Sequence, residues 1–155
     1  MPERTVKQAR AAYFFENGFE QDGGYSARWV WLKFGLLSIP VYNSRARRRA
    51  VPLHDLHHIA TGYLTTPKGE AQMATWELAA GVHDKWFAFV INLPALLYGL
   101  VLWPNTAIDA WRAGRSSRSL YRFEFCEELL DLSLGELKAL ITPKENVRDS
   151  SEPCA

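Results

Sequence analysis

From Trp86 to Trp103 the chain reads WFAFVINLPALLYGLVLW, an uncharged run with tryptophan at both ends. No other segment constrains the fold as strongly, because this much apolar surface has to leave water. A spanning helix needs about 20 apolar residues. The run sits at the lower bound of that length, and Asn92, Pro94 and Gly99 interrupt it. A mid-helix proline costs about 3 kcal/mol and kinks or breaks the element. Three placements compete: a buried core hairpin, a monotopic insertion into one leaflet, and a single span. The first two are expected, since a lone span would leave helices on both sides of a bilayer without evident cause.

Proline, glycine and capping residues divide the rest of the chain into helices. Glu3–Glu16 is the first, closed by Asn17-Gly18 and followed by a joint at Gly23-Gly24. The aromatic and β-branched stretch Arg28 to Asn43 suggests a short hairpin, Trp29–Phe34 against Leu36–Tyr42, or else an irregular apolar connection. Pro40 weakens its second arm. Pro52 suits the first turn of a helix reaching Thr61, with Gly62 as its stop. Thr66-Pro67 reads as the cap and first turn of a helix to Ala80, stopped by Gly81. Pro104 opens a helix through Trp111 that ends near Gly114, and Leu120–Leu130 reads as helical. Ser133-x-x-Glu136 is a capping box for Leu134–Ile141. The expected fold class is all-α (mainly α): a single helical domain over residues 1–142, with at most a short N-terminal β-hairpin, and a polar disordered tail at 143–155.

With 155 residues, 48% hydrophobic and 23% charged, the chain suits one packed domain. Its net charge of +1 excludes a general polyanion binder. The charge is patchy, with arginines at 45, 47, 48 and 49 and again at 112, 115, 118 and 122. These are either solvated faces or contacts for anionic headgroups or an acidic partner. No nucleic-acid reading module is present, so no nucleic acid is expected. Two cysteines occur, Cys126 and Cys154, the latter one residue from the end. We therefore expect no structural disulfide and a reducing, cytoplasmic setting. The first 24 residues hold no apolar stretch fit for a signal peptide. GxSxG and Gly-rich phosphate loops are also missing.

The one dense group of ligand-type residues is HDLHH, His54 to His58. At roughly 100° per helical residue, His54 and His58 lie about 40° apart and Asp55 falls within the same arc. Eleven residues further on, Glu70 opens the next helix, and the turn LTTPKG brings that helix back so that Glu70 faces the histidines. Two imidazoles with carboxylates suit zinc, iron or manganese. Glu77 lies two turns beyond Glu70 and is either an orienting group behind a ligand or a second carboxylate for the ion. His57, which could be a ligand, a proton shuttle or a surface residue, lies about 60° from His54 on the side opposite His58 and is left out of the ligand set. The HxxHH spacing also occurs in desaturase histidine boxes, but two irons need far more histidine than the single remaining His83.

The motif His54-Asp55-Leu56-His57-His58, eleven residues and Glu70 resembles that of the coenzyme Q biosynthesis protein 4 family. So do its flanks HDLHHIATGY and GEAQMATWELAAG, and the later AWRAGRSSRSLYRFEFCEELLDLSLGELKALI. The likeness covers roughly residues 45–141 and suggests a short, bacterial-type member. It implies a helical protein peripherally associated with the inner membrane, in contact with a prenylated quinone precursor or other lipid. Its partners would be further copies of itself or other ubiquinone-biosynthesis proteins. It implies His54, Asp55, His58 and Glu70 as metal-binding and catalytic residues, zinc first among the ions. The implied reaction is oxidative decarboxylation of a polyprenylated hydroxybenzoate, with hydroxylation at the carbon that loses the carboxylate. The apolar run Trp86–Trp103 is the expected groove for the prenyl tail. Four protein ligands would close a tetrahedral zinc site, whereas catalysis needs an open position. The alternative is therefore a non-catalytic lipid-binding scaffold pinned by a structural metal.

Overall fold

A computed structural model describes residues 3–34 and 37–142. The architecture is mainly α, with seven α-helices and one two-stranded hairpin among the described residues. The tail expected at 143–155 lies outside them.

Helix α1 (Val6–Glu16) begins at Val6 and not at Glu3, because Thr5 caps it. The Thr5 hydroxyl accepts the Gln8 N–H, and the Gln8 side chain accepts the Thr5 N–H in return. Strands β1 (Trp29–Phe34) and β2 (Leu37–Tyr42) pair antiparallel, with Trp29 opposite Tyr42. The expected start of the second strand, Leu36, is outside the described residues. Buried Asn43 ties off the base of the hairpin. Its amide donates to the carbonyls of Tyr25 at 2.8 Å and Ala27 at 2.7 Å, and its oxygen accepts the Arg47 guanidinium at 3.0 Å.

Helix α2 (Arg45–Thr61) corrects the expected start at Pro52. Ser44 caps it by accepting the Arg47 N–H, so Pro52 lies inside the helix. The cap and the burial of Ala50, Leu53 and Leu56 in the core together offset the backbone hydrogen bond that proline forfeits. The helix ends at Gly62, whose φ of 79° suits a residue without Cβ and whose N–H reaches the His58 carbonyl at 2.8 Å. The first arginine cluster is therefore mixed. Arg47 is buried, Arg49 is paired with Asp84 and Glu124, and only Arg45 and Arg48 are exposed without such a role.

Helix α3 (Pro67–Ala80) has the expected bounds. Helix α4 (Trp86–Leu102) does not form the expected core hairpin. It is one helix through Pro94, which lies on the exposed side where the carbonyl it leaves unpaired can be hydrated. Its buried positions are the small or polar Ala88, Asn92 and Gly99. Trp86, Phe89, Val90, Leu97 and Val101 stay in the open, Val101 with 78% of its surface exposed. No described helix is long and apolar enough to cross a membrane.

Helix α5 (Pro104–Arg115) follows as expected. The helix expected over Leu120–Leu130 is replaced by a 3-10 turn at Leu120–Arg122, an extended stretch, and one turn of α6 (Glu128–Asp131). Leu120 gives its N–H to Nε2 of His57 at 2.8 Å, and the backbone turns extended at Phe123 (φ −101°, ψ 160°), so the helical stretch stops after one turn. Helix α7 (Leu134–Ile141) carries the expected Ser133–Glu136 capping box. The expectation of no disulfide is also corrected. Cys126 is disulfide-bonded, so the cysteines give no support to a reducing compartment. The chain's other cysteine, Cys154, lies outside the described residues.

Leu53, Leu56, Met73, Trp76, Leu120, Leu129 and Leu137 form the centre of the core. Helix α3 packs backbone-close on α4 and α5, while α2 packs on α1, α4 and α7. Gly114 is where α5 meets α3. A Cβ there would strike the Trp76 carbonyl and come within 2.8 Å of the Ala79 Cβ. Gly114→Ala should therefore destabilise the fold by about 1–3 kcal/mol. Thermal denaturation followed by circular dichroism should show a Tm lower by roughly 3–10 °C, and an unchanged Tm would contradict this packing.

Candidate metal centre

Helices α2 and α3 are bridged by polar side chains. His54 and His58 come from successive turns of α2, and Glu70 from the first turn of α3, placed there by the Thr66 cap and Pro67. The imidazole and carboxylate ligand atoms of these three residues lie within 4.8 Å of one another. The His54 and His58 Nε2 atoms are 3.1 Å apart. Glu70 places Oε2 at 3.5 Å from the first and Oε1 at 3.6 Å from the second.

The opposite ring nitrogens decide the chemistry. His58 Nδ1 is 2.8 Å from the Tyr63 carbonyl, an acceptor only, so it must carry a proton. His54 Nδ1 is 2.9 Å from Oε1 of Glu77, a carboxylate, and must carry one as well. Both neutral rings then turn bare Nε2 lone pairs toward each other and toward Glu70. Such a convergence of acceptors requires a cation between them. The spacing fits a metal, because ligands about 2.0–2.1 Å from a tetrahedral ion sit about 3.3 Å apart. His54, His58 and Glu70 can hold a metal ion.

Without an ion, a proton serves instead. Burial lowers the proton affinity of His54, but the charges and hydrogen bonds of Glu77 and Glu70 overcome this and raise its pKa well above the usual imidazole range. Burial likewise raises the Glu70 carboxyl, and hydrogen bonds from His54 and His58 then pull it down to about 2.

Asp55, the fourth expected ligand, is not in this group. Its carboxylate is buried and serves two phenols: Tyr25 donates to Oδ2 at 2.5 Å, and Tyr13 is also hydrogen-bonded to it. One residue along the helix turns it toward α1 and the Tyr25 loop that Asn43 anchors. The Tyr13 ring in turn stacks on His58, centroids 5.9 Å apart.

Glu77, expected as either an orienting group or a second ligand, is the fully buried hub behind the centre. Its Oε1 accepts from His54 Nδ1 at 2.9 Å, His57 Nδ1 at 2.7 Å and the Tyr121 hydroxyl at 2.9 Å. Its Oε2 accepts from the Asn92 amide at 2.5 Å. Burial raises this carboxyl, yet the facing imidazoles drive its pKa far below the normal range. His57 is held on both sides, with Nδ1 on Glu77 and Nε2 accepting the Leu120 N–H at 2.8 Å. Burial keeps it neutral, and it has no free nitrogen for an ion.

Sequence reasoning did not single out Tyr13, Tyr25, Tyr121 or Asn92. Only Asn92 carried a signal, as a lone amide in an uncharged run. A separate apolar cavity of about 300 Å³ lies among α3, α4 and α5, lined by Thr75, Leu96, Leu100, Ala107, Ile108 and Trp111.

No protein-family model matches the chain, and no curated protein or solved structure shows significant similarity to it.

Metal binding must displace the proton that His54 holds. Since its pKa is raised, that proton is still present near neutrality and leaves as pH rises. Affinity for Zn²⁺ or Co²⁺ should therefore climb about tenfold per pH unit until the His54 pKa is passed, then level off. Isothermal titration across buffers of different ionisation enthalpy would count the released proton. A pH-independent affinity would contradict the arrangement.

Proposed function

We propose that the chain is a metal-dependent protein of ubiquinone-type biosynthesis, acting on a polyprenylated hydroxybenzoate at a membrane surface. The observation that carries this reading is the three-ligand centre of His54, His58 and Glu70. Three protein ligands are the pattern of a catalytic ion, whereas four close a structural one. Zinc suits the two imidazoles and one carboxylate best, with iron or manganese as the alternatives. Bound there, a divalent ion would supply Lewis-acid stabilisation of the negative charge left as a ring carboxylate departs.

The chain's own residues supply the remainder. Glu77 holds His54 in its tautomer, and Asp55 holds the phenols of Tyr13 and Tyr25 beside the centre. Glu70 is partly exposed, with 43% of its side chain open, so the centre is reachable from outside. The reaction requires dioxygen and a two-electron donor. The ring carboxylate leaves as carbon dioxide, the ring carbon gains one oxygen as hydroxyl, and the other oxygen leaves as water with two protons.

The open face of α4 supports the lipid half of the reading. An exposed apolar surface of this extent marks a site of interaction. Trp86 at one end and Trp103 and Trp111 toward the other are residues favoured at the headgroup boundary. Exposed Arg112 and Arg115 close α5 with positive charge suited to anionic headgroups. The apolar cavity beneath α4 offers room for a prenyl chain.

Two variants separate the halves of this reading. Leu97, which is 55% exposed, contributes nothing to the core. Leu97→Asp should weaken flotation with vesicles containing phosphatidylglycerol at least tenfold, about 1.4 kcal/mol, and leave metal content intact. His58→Ala should lose the metal and any decarboxylation of a prenylated hydroxybenzoate while still floating. If chelation unfolds the protein and no turnover is found with metal restored, the scaffold with a structural ion is the correct reading. If His58→Ala retains the metal, the centre is wrong.

A further inference from the structure

Helix α4 carries one polar side chain that is buried, Asn92. An amide on an otherwise apolar helix is costly to bury unless its hydrogen bonds are made. Asn92 does not point at solvent or at its own backbone. It donates to Oε2 of Glu77 at 2.5 Å, and Oε1 of the same carboxylate holds Nδ1 of His54 at 2.9 Å. The ring's other nitrogen, Nε2, is the one turned to His58 and Glu70. An unbroken path of two hydrogen bonds thus runs from the apolar helix to the candidate metal ligand.

We propose that Asn92 is a positioning residue for the metal centre, coupling the seating of α4 to the orientation of His54 through Glu77. The proposal rests on the metal reading above. His57 and Tyr121 also hold Glu77, but both bond to Oε1, the oxygen that His54 uses. Asn92 grips the other oxygen and so sets the rotation of the carboxylate plane. When that grip is lost, Glu77 turns about its last bond, and the direction in which His54 presents Nε2 changes with it. Groups that orient a ligand in this way typically govern metal affinity by about 10–100-fold. The helix that supplies the grip is also the one with the open apolar face. A surface or lipid that shifts α4 therefore shifts His54.

The test uses the purified full chain, with Zn²⁺ affinity measured by competition against a chromophoric chelator and Co²⁺ bound as a spectroscopic probe. Asn92→Leu keeps the branching at Cγ, at some cost in added volume, and removes the donor. Ala88→Gly, one turn earlier on the same buried face, loosens α4 without touching Glu77, and so reports what mere destabilisation does. Asn92→Leu should weaken Zn²⁺ binding by about 10–100-fold and alter the visible Co²⁺ bands. Ala88→Gly should leave both close to wild type at a comparable fall in Tm. Equal Zn²⁺ affinity in wild type and Asn92→Leu overturns the proposal and leaves the metal centre standing. Equal losses in Asn92→Leu and Ala88→Gly also overturn it, because the effect is then one of stability. If wild type itself binds neither ion, the metal reading fails and the proposal with it. Should Asn92→Leu not fold, Asn92→Ser, which keeps a shorter donor, decides: unchanged Co²⁺ bands overturn the proposal and shifted bands support it.

Discussion

The carboxylate of Glu77 lies at the centre of the molecule with no access to water. A charge in such a place is tolerated only when every lone pair is met. Here four partners come from three elements: His54 and His57 from α2, Tyr121 from the 3-10 turn, and Asn92 from α4. This group joins α2 and α3 alongside the apolar contacts of Leu53, Leu56, Met73 and Trp76 in the core. The polar network and the fold are therefore one structure. Loosening any partner leaves a buried negative charge short of a donor, a costlier loss than a missing methyl group.

The same carboxylate explains why one histidine of HDLHH works behind the centre and two within it. His57 faces the core, against the rings of Trp76 and Tyr121, with both nitrogens taken up inside the protein. His54 has one nitrogen on Glu77 and the other free to face outward. His58 reaches the same condition by giving its Nδ1 proton to the Tyr63 carbonyl just beyond the helix end. The turn after α2 is thus part of the centre as well as a connection, and Gly62 with its left-handed backbone makes the return of that carbonyl feasible. The electrostatics follow from this layout. The carboxylates of Glu77 and Glu70 raise the proton affinity of His54 against the cost of its burial, whereas burial lowers that of His57.

On the opposite side of α3 the molecule is organised by small residues. Gly114 lets α5 settle against the α3 backbone, and the narrow buried stripe of α4 leaves its large side chains outside. The apolar run is thereby split between two tasks. Ala88, Asn92 and Gly99 fasten the helix, and the aromatic and aliphatic side chains form a face that the protein itself does not cover. Arg49, Asp84, Glu124 and the buried ammonium of Lys85 pin the turn from which that helix departs.

Local chemistry was legible in the residues alone. Thr66-Pro67, Gly62 and the Ser133–Glu136 box each satisfy their own helix end within a few residues, so the bounds of α3, the close of α2 and the bounds of α7 could be read without any tertiary context. The pairing of His54 with His58 is a matter of helical period, and Glu70 follows from the length of one turn. What required the tertiary structure was every choice made between distant segments. Asp55 carries the right atoms for a ligand, but phenols brought from α1 and the Tyr25 loop claim it. Pro52 suits a first turn, but the burial of Ala50, Leu53 and Leu56 in the core carries the helix through it. Leu120–Leu130 has helix-forming composition, but His57 takes the Leu120 N–H and the backbone turns extended at Phe123. The uncharged run looks like core by composition, yet only its Ala88, Asn92 and Gly99 are buried when the helix docks on α3 and α5, and the large side chains face outward. In each case a long-range contact, which no local pattern encodes, outweighed a local preference worth at most about one hydrogen bond.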